Sequence, residues 1–327
     1  MSRLYTIGEM LIDFIPLQTG RPLHEVTSFK RAPGGAPANV AAAAAKYGSP
    51  SYLLTKLGQD AFGDYLLQEL QNAGVNAEHV RRTDEAGTGL AFVSLKENGE
   101  RDFSFYRNPS ADLLLREDEI DPAWFAPGDI LHFGSVDLVD SPMKTAHRKA
   151  IRAAKTAGGI VSFDPNVRLP LWRSADDCRR AILEFLPAAH LIKISDEELE
   201  FVTGISDTET AILSLMRGDV QAVVYTRGAD GAELYTRSGR YAAPGFPVKA
   251  LDTTGAGDAF VGGLLHRLLE LNADPDRLSA LLDRHHADIL LFANASGALT
   301  TTGSGAISAL PDRGAIESLI AGRSSAV

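Results

Sequence analysis

Short apolar runs that alternate with amphipathic stretches constrain the fold of this chain more than any other feature of its sequence. The runs are rich in Val, Ile, Leu and Phe, which is typical of buried strands. Predicted strands are Leu4–Met10, Ser51–Leu57, Ile130–Phe133, Ile160–Phe163, Leu191–Ile194 and Ala222–Thr226, and predicted helices include Asn39–Tyr47 and Phe62–Asn72. Strands that alternate with helices form parallel βαβ units. The sequence therefore predicts an α/β fold, a doubly wound and mostly parallel sheet with helices on both faces, whose ligands bind beyond the carboxyl ends of the strands.

Two segments break this alternation and predict a small inserted β-sheet. Phe14–Ala32 and Gly89–Arg107 have extended, partly alternating patterns, and the second contains an Asn-Gly pair in the turn Glu97–Glu100, which is a strong hairpin signal. We expect one domain over residues 1–327, with an α/β core at about 1–12, 33–87 and 110–327 and a β lid at about 13–32 and 88–109. A small sheet with an exposed edge also predicts a homodimer that forms through the lid.

The charge and composition of the chain narrow its expected partners to small molecules. The 327 residues carry 42 acidic and 32 basic side chains, a net charge of −10. An acidic chain without a basic stripe repels a phosphate backbone, so we expect no nucleic acid partner. No apolar run approaches the length of a membrane span, so we expect no membrane contact. The single cysteine, Cys178, excludes an intrachain disulfide and favours the cytoplasm.

The motif with the most specific chemistry is the string Asp252-Thr253-Thr254-Gly255-Ala256-Gly257-Asp258-Ala259-Phe260, which a helical run, Val261–Leu271, follows. Glycines before a helix allow backbone N–H groups to approach an anion closely, and the helix dipole favours negative charge at the same place. A carboxylate beside such a site, Asp258, can accept a proton from an alcohol that attacks phosphorus. Taken alone, the string is almost as consistent with a glycine-rich turn capped by Asp258.

This string resembles the C-terminal signature of the ribokinase-like carbohydrate kinases. The N-terminal signature is matched by Gly34-Gly35-Ala36-Pro37-Ala38-Asn39-Val40-Ala41. Three further stretches are similar to the fructokinase branch of that family: Phe105–Asp112, Asp164–Trp172 and Lys193–Leu199. Because the matches occur in the expected order along essentially the whole chain, the chain is identified as a member of this family.

The resemblance implies which residues bind and activate an acceptor sugar. Asp258 would be the catalytic base, and the backbone N–H groups of Gly255, Ala256 and Gly257 would stabilise charge on the transferred phosphoryl group. The implied sugar contacts are Asp13 at the end of the first strand, Gly34, Gly35, Asn39, Tyr106 and Arg107. From the residues alone, a strand-end turn explains Asp13 and a solvated strand arginine explains Arg107.

The resemblance also implies a nucleotide site and two cation sites. ATP would contact Asn166, Arg168, Ser195, Thr226, Gly228, Gly231 and Asn294. Glu198 would organise Mg²⁺ through water. Asp252 and Thr254, with the 300–309 loop, match the region where relatives bind a monovalent cation, K⁺. Ser195 stands where the family has asparagine, and from the residues alone Asn294 equally fits a helix in the core.

These features predict an ATP-dependent sugar kinase that transfers the γ-phosphoryl group to a primary hydroxyl. Fructose is the expected substrate, which would give fructose 6-phosphate. Within the family, 2-keto-3-deoxygluconate kinase is the alternative, because its members share the GG…N pattern and an aromatic–Arg pair. A catalytically silent sugar- or nucleotide-binding regulator is the alternative from another class, but an intact Asp258 beside the glycines favours an enzyme.

Overall fold

A computed structural model describes residues 2–18, 20–95 and 101–324 of the chain. The strands are β1 (Leu4–Ile7), β2 (Leu11–Pro16), β3 (Phe29–Gly34), β4 (Ser51–Gly58), β5 (Val80–Thr83), β6 (Leu90–Leu95), β7 (Arg101–Tyr106), β8 (Ile130–Gly134), β9 (Ile160–Asp164), β10 (Leu191–Ser195), β11 (Ala222–Thr226), β12 (Ala232–Thr236) and β13 (Arg240–Ala243). The α-helices are α1 (Ala36–Lys46), α2 (Ala61–Asn72), α3 (Pro142–Thr156), α4 (Ala175–Phe185), α5 (Asp196–Thr203), α6 (Thr208–Leu215), α7 (Ala256–Glu270), α8 (Leu278–Thr300) and α9 (Arg313–Ser324). These bounds confirm the alternation of strands and helices.

Nine of the described strands form one large sheet in the order β13-β12-β11-β10-β9-β8-β1-β4-β5. The neighbours from β11 to β5 are parallel, and β12 and β13 run antiparallel at one edge. The strand order reverses beside β1, since β4 and β5 lie on one side of it and β8 to β11 on the other. Such a reversal is a topological switch point, where open α/β sheets form a crevice for ligands. The structure therefore confirms the predicted doubly wound α/β fold.

The large sheet is buried on both faces, as is typical of parallel sheets. Successive residues of β1 point to opposite sides, so that Tyr5 packs in a cluster with α3 and α4, while Leu4 packs in another with α1, α7 and α8. Cys178 is fully buried in the first cluster. Among the described helices, none combines the length and apolar character that a membrane span needs.

The first strand is shorter than predicted, and Asp13 does not end it. β1 stops at Ile7, and Gly8 then turns the chain with a φ of 147°, a conformation that favours glycine. A Cβ atom on Gly8 would also lie 2.6 Å from Cγ of Pro37. The chain thereby leaves the large sheet, and Asp13 lies within β2 of a second sheet. The prediction of a strand over Leu4–Met10 is wrong at its C-terminal end for this reason.

The second sheet has four strands within the described residues, in the order β3-β2-β6-β7. β2 pairs antiparallel with β3 and parallel with β6, and β6 pairs antiparallel with β7. Asp13 is the register partner of Ala91, which is the partner of Phe105, so these three residues share one side of the sheet. We call this side the inner face. The predicted turn Glu97–Glu100 lies outside the described residues.

The opposite side of the small sheet, which we call the outer face, carries the aromatic residues Phe14, Phe29, Phe92 and Tyr106. The ring of Phe14 stacks on that of Phe92 with centroids 4.7 Å apart, and Tyr106 packs edge-on against Phe92 at 5.4 Å. Phe62 of α2 packs edge-on against Phe14 at 5.7 Å. Tyr106 is nevertheless 63% exposed, so part of this aromatic surface faces solvent.

Helices α1 and α7 begin three and five residues earlier than the sequence predicts, at Ala36 and Ala256. Each follows a glycine with positive φ, which is 109° at Gly35 and 75° at Gly255. A glycine in this conformation turns the incoming chain directly into the helix. The glycine-rich motif therefore forms the first turn of α7 rather than a loop before it.

Helices α1 and α7 pack directly against each other. A Cβ atom on Gly262 would lie 2.5 Å from Cβ of Ala43 and 3.2 Å from the carbonyl oxygen of Val40, so the glycine allows the two helices to approach closely. Residues from the first turns of both helices line one cleft, which also contains residues that follow β9 and β10. The close packing thus brings two helix N-termini to the carboxyl edge of the large sheet.

Candidate active site

A cleft of ≈ 430 Å³ lies between the carboxyl edge of the large sheet and the inner face of the small sheet. This volume is in the range of small-molecule sites. Eleven residues predicted from the sequence line it: Asp13, Gly35, Asn39, Asn166, Arg168, Ser195, Glu198, Thr254, Gly255, Gly257 and Asp258. The fold therefore collects most of the predicted residues in one place.

Asp258 lies in the first turn of α7 and is partly exposed. Its Oδ2 accepts a hydrogen bond of 2.8 Å from Nδ2 of Asn39. Burial raises the pKa of Asp258 above its ordinary value, although the Asn39 hydrogen bond and the charges of Arg168 and Lys193 oppose that shift. The carboxylate is held by a donor and made more basic by its surroundings, which suits a proton acceptor.

The cleft offers oxygen acceptors for hydroxyl groups around Asn39 and Asp13. Oδ1 of Asn39 is buried and has no hydrogen-bond partner within residues 2–18, 20–95 and 101–324. A buried acceptor of this kind costs free energy unless a ligand or water donates to it. The carboxylate of Asp13 lies close to the backbone of Gly34, where a Cβ atom would be 2.2 Å from Oδ2. A Cβ atom on Gly35 would lie 2.4 Å from the carbonyl oxygen of Glu9, so both glycines keep the chain close to the cleft.

The N-terminal turn of α7 provides an anion-binding element. The first N–H groups of a helix have no acceptor within that helix, and the dipole adds positive potential. The N–H of Ala256 is 3.3 Å from the carbonyl oxygen of Thr253, whereas Gly255 and Gly257 line the cleft. A Cβ atom on Gly255 would lie 2.6 Å from Cβ of Ala306, so a larger residue would displace the turn. The three predicted anion-hole residues thus form the start of the helix that carries the carboxylate.

Lys193 lines the cleft, although sequence reasoning assigned it no role. Its Nζ lies 3.1 Å from Oδ2 of Asp164 and 3.8 Å from the position of a Cβ atom on Gly257. Burial alone would lower the pKa of Lys193, but Asp164 and Glu198 raise it above its ordinary value, so the ammonium stays charged. Burial raises the pKa of Asp164 to about 6 in spite of Lys193. A lysine inside the apolar strand Leu191–Ser195 is the sequence signal that could have identified it.

Glu198 links the start of α5 to the loop after β9. Its Oε2 accepts hydrogen bonds from N and Oγ of Ser195 at 3.1 and 2.7 Å, and its Oε1 accepts one of 2.6 Å from N of Val167. Burial alone would raise the pKa of Glu198, but Lys193 and these donors hold it below its ordinary value. An ionised carboxylate in the cleft fits a hydrated Mg²⁺, which keeps several of its waters in proteins. Within the described residues, no group of three or more His, Cys, Asp or Glu could hold a metal alone.

Asp252 fastens the glycine-rich motif to the loop after α8. Its Oδ1 accepts from N and Oγ1 of Thr254 at 2.9 and 2.6 Å, and its Oδ2 accepts from N of Gly305 at 3.0 Å. The N–H groups of Leu251 and Asp252 both donate to the carbonyl oxygen of Thr301. The two loops therefore bring a carboxylate and backbone carbonyl groups together, and hard oxygen donors of this kind suit a cation such as K⁺.

The remaining predicted nucleotide residues lie beside the cleft rather than in its lining: Thr226, Gly228, Gly231 and Asn294. Thr226 is the register partner of Ser195, so it lies at the same carboxyl edge on the next strand. A Cβ atom on Gly231 would lie 2.2 Å from the carbonyl oxygen of Ala243. Nδ2 of Asn294 donates to that same carbonyl at 3.0 Å. Thr226 therefore lies at the carboxyl edge that borders the cleft, whereas Gly231 and Asn294 are buried against the end of β13.

Tyr106 and Arg107 were predicted as sugar contacts, but neither lines the cleft. Tyr106 lies on the outer face, because it is next to Phe105 in β7 and successive strand residues point to opposite sides. Arg107 pairs with Asp112 and Asp137 and lines a neighbouring cavity of ≈ 830 Å³. Phe105 lines both cavities. The side chain by which β7 reaches the cleft is therefore Phe105, which the sequence reasoning did not select.

The chain matches one known protein family over nearly its whole length. The family model for "pfkB family carbohydrate kinase" matches residues 1–313. The chain belongs to the pfkB family of carbohydrate kinases. The resemblance predicted from five motifs is confirmed, and the cleft around Asp258 is the candidate active site of this kinase.

Curated relatives of this kinase carry fructokinase names. The chain is 46% identical to "Fructokinase-2" of Zea mays, over 97% of this chain and 93% of that protein. It is 45% identical to "Probable fructokinase-6, chloroplastic" of Arabidopsis thaliana, over 94% of this chain and 80% of that protein. The similarity extends over nearly the whole chain, so it includes both the lid and the core.

Solved structures with similar folds include fructokinases with bound ligands. The fructokinase of Xylella fastidiosa with bound ATP has a TM-score of 0.90 and 36% identity, and the match covers 99% of this chain and 100% of that one. The fructokinase of Vibrio cholerae O395 in its fructose-, ADP- and calcium-bound form has a TM-score of 0.84 and 35% identity, with 98% and 99% covered. The two-sheet architecture of this kinase is therefore that of ligand-binding relatives.

Proposed function

We propose that this kinase transfers the γ-phosphoryl group of ATP to fructose and yields fructose 6-phosphate. The observation that carries the proposal is the contact between Asn39 and Asp258 at the N-terminus of α7. The amide nitrogen of Asn39 orients the carboxylate, and its buried Oδ1 needs a donor, which a sugar hydroxyl supplies. The names of the relatives favour fructose over other sugars.

In the proposed reaction, Asp258 accepts the proton of the attacking hydroxyl. The hydroxyl oxygen bonds to the γ-phosphorus as the bond between that phosphorus and the β–γ bridging oxygen of ATP breaks, which leaves ADP. Asp13 and Asn39 accept hydrogen bonds from other hydroxyl groups of the sugar, and Gly34 and Gly35 let its ring approach the backbone. The acceptor is thereby fixed beside the base, which removes much of the entropic barrier to reaction.

The charge that develops on the phosphoryl oxygens is stabilised from the N-terminal turn of α7. In this proposal the N–H groups of Gly255 and Gly257 donate to the transferred group, while that of Ala256 donates to the carbonyl oxygen of Thr253. The ammonium of Lys193 adds a full positive charge near the same turn. Phe105 on the inner face of the lid lines the cleft, and in this proposal it helps to exclude water. Water exclusion matters because a water molecule in place of the sugar would hydrolyse ATP.

ATP lies along the carboxyl edge of β9, β10 and β11 in this proposal. Its contacts are Asn166, Arg168 and Ser195 in the cleft, and Thr226, Gly228, Gly231 and Asn294 beside it. Glu198 would hold Mg²⁺ through water, and the bound ion would neutralise part of the phosphate charge. The oxygen-rich contact of Asp252 and Thr254 with the loop after α8 supports a K⁺ site next to the anion hole.

The outer face supports a homodimer of this kinase. Its aromatic rings form a continuous cluster on a sheet with exposed edges, and such surfaces in soluble proteins commonly mark an interface. We also propose that the kinase acts in the cytoplasm, since its one cysteine, Cys178, cannot form an intrachain disulfide, as is typical of proteins in a reducing compartment. The expected partners are then fructose and ATP, with no nucleic acid and no membrane.

A coupled ADP-release assay tests this function. Mg·ATP is offered with fructose, 2-keto-3-deoxygluconate, ribose or adenosine, each with and without K⁺. Clear preference for fructose supports the proposal, and stimulation by K⁺ supports the cation site. Preference for the keto-deoxy acid would overturn the substrate while retaining the chemistry. No turnover with any acceptor, together with measurable ATP binding by calorimetry, would favour a binding protein instead.

A further inference from the structure

Arg107 lies in a buried cluster of charges where the lid joins the core. Its guanidinium forms ion pairs with Asp112 and Asp137, and the three side chains are only 5%, 1% and 1% exposed. Asp112 also accepts a hydrogen bond from Oγ of Ser110. Arg107 directly follows β7 of the small sheet, whereas Asp137 lies in the segment after β8 of the large sheet. The cluster therefore ties the end of a lid strand to the core.

Glu9 connects this cluster to the sugar-binding part of the cleft. It is 4% exposed, lines the cleft, and accepts at Oε1 a hydrogen bond of 3.0 Å from N of Ala36, the first residue of α1. Asn39, which contacts the proposed base, lies one turn later in the same helix. Burial raises the pKa of Glu9 well above its ordinary value, the charge of Asp137 adds to the rise, and Arg107 opposes it. Glu9 thus interacts electrostatically with the cluster and accepts a hydrogen bond from the first residue of α1.

The composition of the cluster favours a positioning role over a stabilising one. Buried ion pairs generally contribute little net stability compared with apolar residues of the same size. Here three carboxylates face one guanidinium, and within the described residues Nε of Arg107 and Oδ2 of Asp137 are buried without a partner. Charged hydrogen bonds do impose a definite geometry on the segments that they join. The geometry imposed here sets where β7 ends, and hence where Phe105 enters the cleft.

We propose that Arg107 is a positioning residue that fastens the lid to the sugar-binding part of the cleft and does not itself contact sugar or phosphate. Through its ion pairs with Asp112 and Asp137 it fixes the end of β7. The position of Phe105 at the cleft depends on the same cluster. The kinetic consequences rest on the proposed kinase function, whereas the structural consequences do not.

The kinetic test uses two variants of the full-length kinase, Arg107→Met and Asp137→Asn. In both we expect the KM for fructose to rise about 10-fold or more while kcat at saturating fructose stays within about 3-fold, because an anchor affects closure rather than chemistry. ATP hydrolysis without sugar should rise relative to fructose phosphorylation. The fructose KM of the double variant should be no higher than the higher of the two single-variant values, because both changes disable the same anchor.

Arg116→Met is the matched control. Arg116 also pairs with a carboxylate, that of Glu85, but each side chain is 51% exposed. Exposed pairs contribute little, because solvent screens them, so this variant should keep the wild-type KM and kcat. Asp137→Asn retains the shape of the side chain, and it decides the test if Arg107→Met does not fold.

A second measurement needs no catalytic activity. Amide hydrogen exchange should become faster in both variants where β6 pairs with the end of β7, at the register of Leu90 with Tyr106. Exchange in β10 and β11, at the centre of the large sheet, should stay slow. If the wild-type protein phosphorylates no sugar, the proposed function fails, but this measurement still tests the anchor by itself.

Two results would overturn the positioning role. The first is a fall in kcat of about 100-fold or more in Arg107→Met together with an unchanged fructose KM in Asp137→Asn, because Arg107 would then act on the reacting groups. The second is wild-type hydrogen exchange at the end of β7 in folded Asp137→Asn.

Discussion

The positive charge of Lys193 favours the ionised form of three carboxylic acids in the cleft. Its charge opposes the effect of burial on the pKa values of Asp164, Glu198 and Asp258. Without a nearby cation, burial favours the neutral form of each acid. The same ammonium lies next to the first turn of α7, where the phosphoryl group of ATP would bind. Lys193 therefore contributes both to the stability of the cleft and to its affinity for an anion.

The variant Lys193→Met keeps a long side chain and removes the charge. We expect the free energy of unfolding to fall by about 3 kcal/mol near neutral pH, because a buried ion pair loses one partner. The pKa of Asp164, which burial holds at about 6, should rise further without Lys193. A raised pKa in the folded state favours the native protein at low pH and loses that contribution as pH rises, so the destabilisation should be larger at pH 8 than at pH 5. Urea unfolding at both pH values measures this.

Lys144→Met is the control for that experiment. Lys144 also pairs with a carboxylate, Glu184, but that partner is 42% exposed, and surface pairs contribute about 0–1 kcal/mol. The KM for ATP should rise about 10-fold or more in Lys193→Met and stay unchanged in the control. Equal losses of stability in the two variants, or a wild-type KM for ATP in Lys193→Met, would contradict the role given to Lys193.

Among the elements, α7 depends on how its first turn meets the loop after α8. Gly255 is the N-cap residue with a φ of 75°, and the position of its missing side chain is filled by Ala306. Asp252 accepts a hydrogen bond from Gly305 of the same loop. The start of the helix is thus fixed by a close contact and a charged hydrogen bond. The direction of its N–H groups, and therefore the anion hole, follows from both.

The variant Gly255→Ala should damage this element in two ways. An alanine with positive φ costs about 1–2 kcal/mol, and the contact with Ala306 adds about 1–3 kcal/mol of overpacking. Gly74→Ala is the matched control, since Gly74 has a φ of 82° but its Cβ atom would lie 3.9 Å from Cβ of Ala45. We expect denaturant unfolding to show the larger loss in Gly255→Ala, together with a fall in kcat of about 10-fold or more. Equal losses of unfolding free energy and equal kcat in Gly255→Ala and Gly74→Ala would contradict the assigned contact between Gly255 and Ala306.

Across the whole molecule, the sequence predicts which segments form strands and helices better than it predicts element ends that depend on tertiary contacts. Ile160–Phe163 and Ala222–Thr226 form strands within one residue of their predicted bounds, because strand formation in a buried parallel sheet follows from local apolar composition. The end of β1 was missed, since it depends on the contact of Gly8 with Pro37, a residue of a later helix. Element bounds set by tertiary contacts are invisible to a local pattern.

The candidate site shows the same division. Asn39 and Asp258 are 219 residues apart in sequence, and only the family motifs indicated that both belong to one site. Lys193 was missed because a lysine in an apolar strand reveals burial but not its partners. Tyr106 and Arg107 were selected with the motif around β7, yet strand alternation directs Tyr106 away from the cleft and buried carboxylates engage Arg107.

At the same scale, we predict that the outer face of the lid holds two copies of the kinase together. Sedimentation velocity at micromolar concentration should show a dimer for the wild type and a shift toward monomer for Tyr106→Asp, because a charge would be buried in an apolar interface. Leu213→Asp is the control, since Leu213 is 54% exposed on α6, outside the small sheet. A monomeric wild type, or a dimer unaffected by Tyr106→Asp, would contradict this interface.

The assignment of Asp258 as the base is the central claim, and the variant Asp258→Asn tests it most directly. An asparagine keeps the shape of the side chain and can still accept the hydrogen bond from Asn39, but it cannot take up the proton of the hydroxyl. ADP release gives kcat, and calorimetry gives the Kd for fructose. We predict a fall in kcat of about 10²–10⁴-fold with a Kd for fructose within about 3-fold of the wild type. A kcat within about 10-fold of the wild type would contradict the claim.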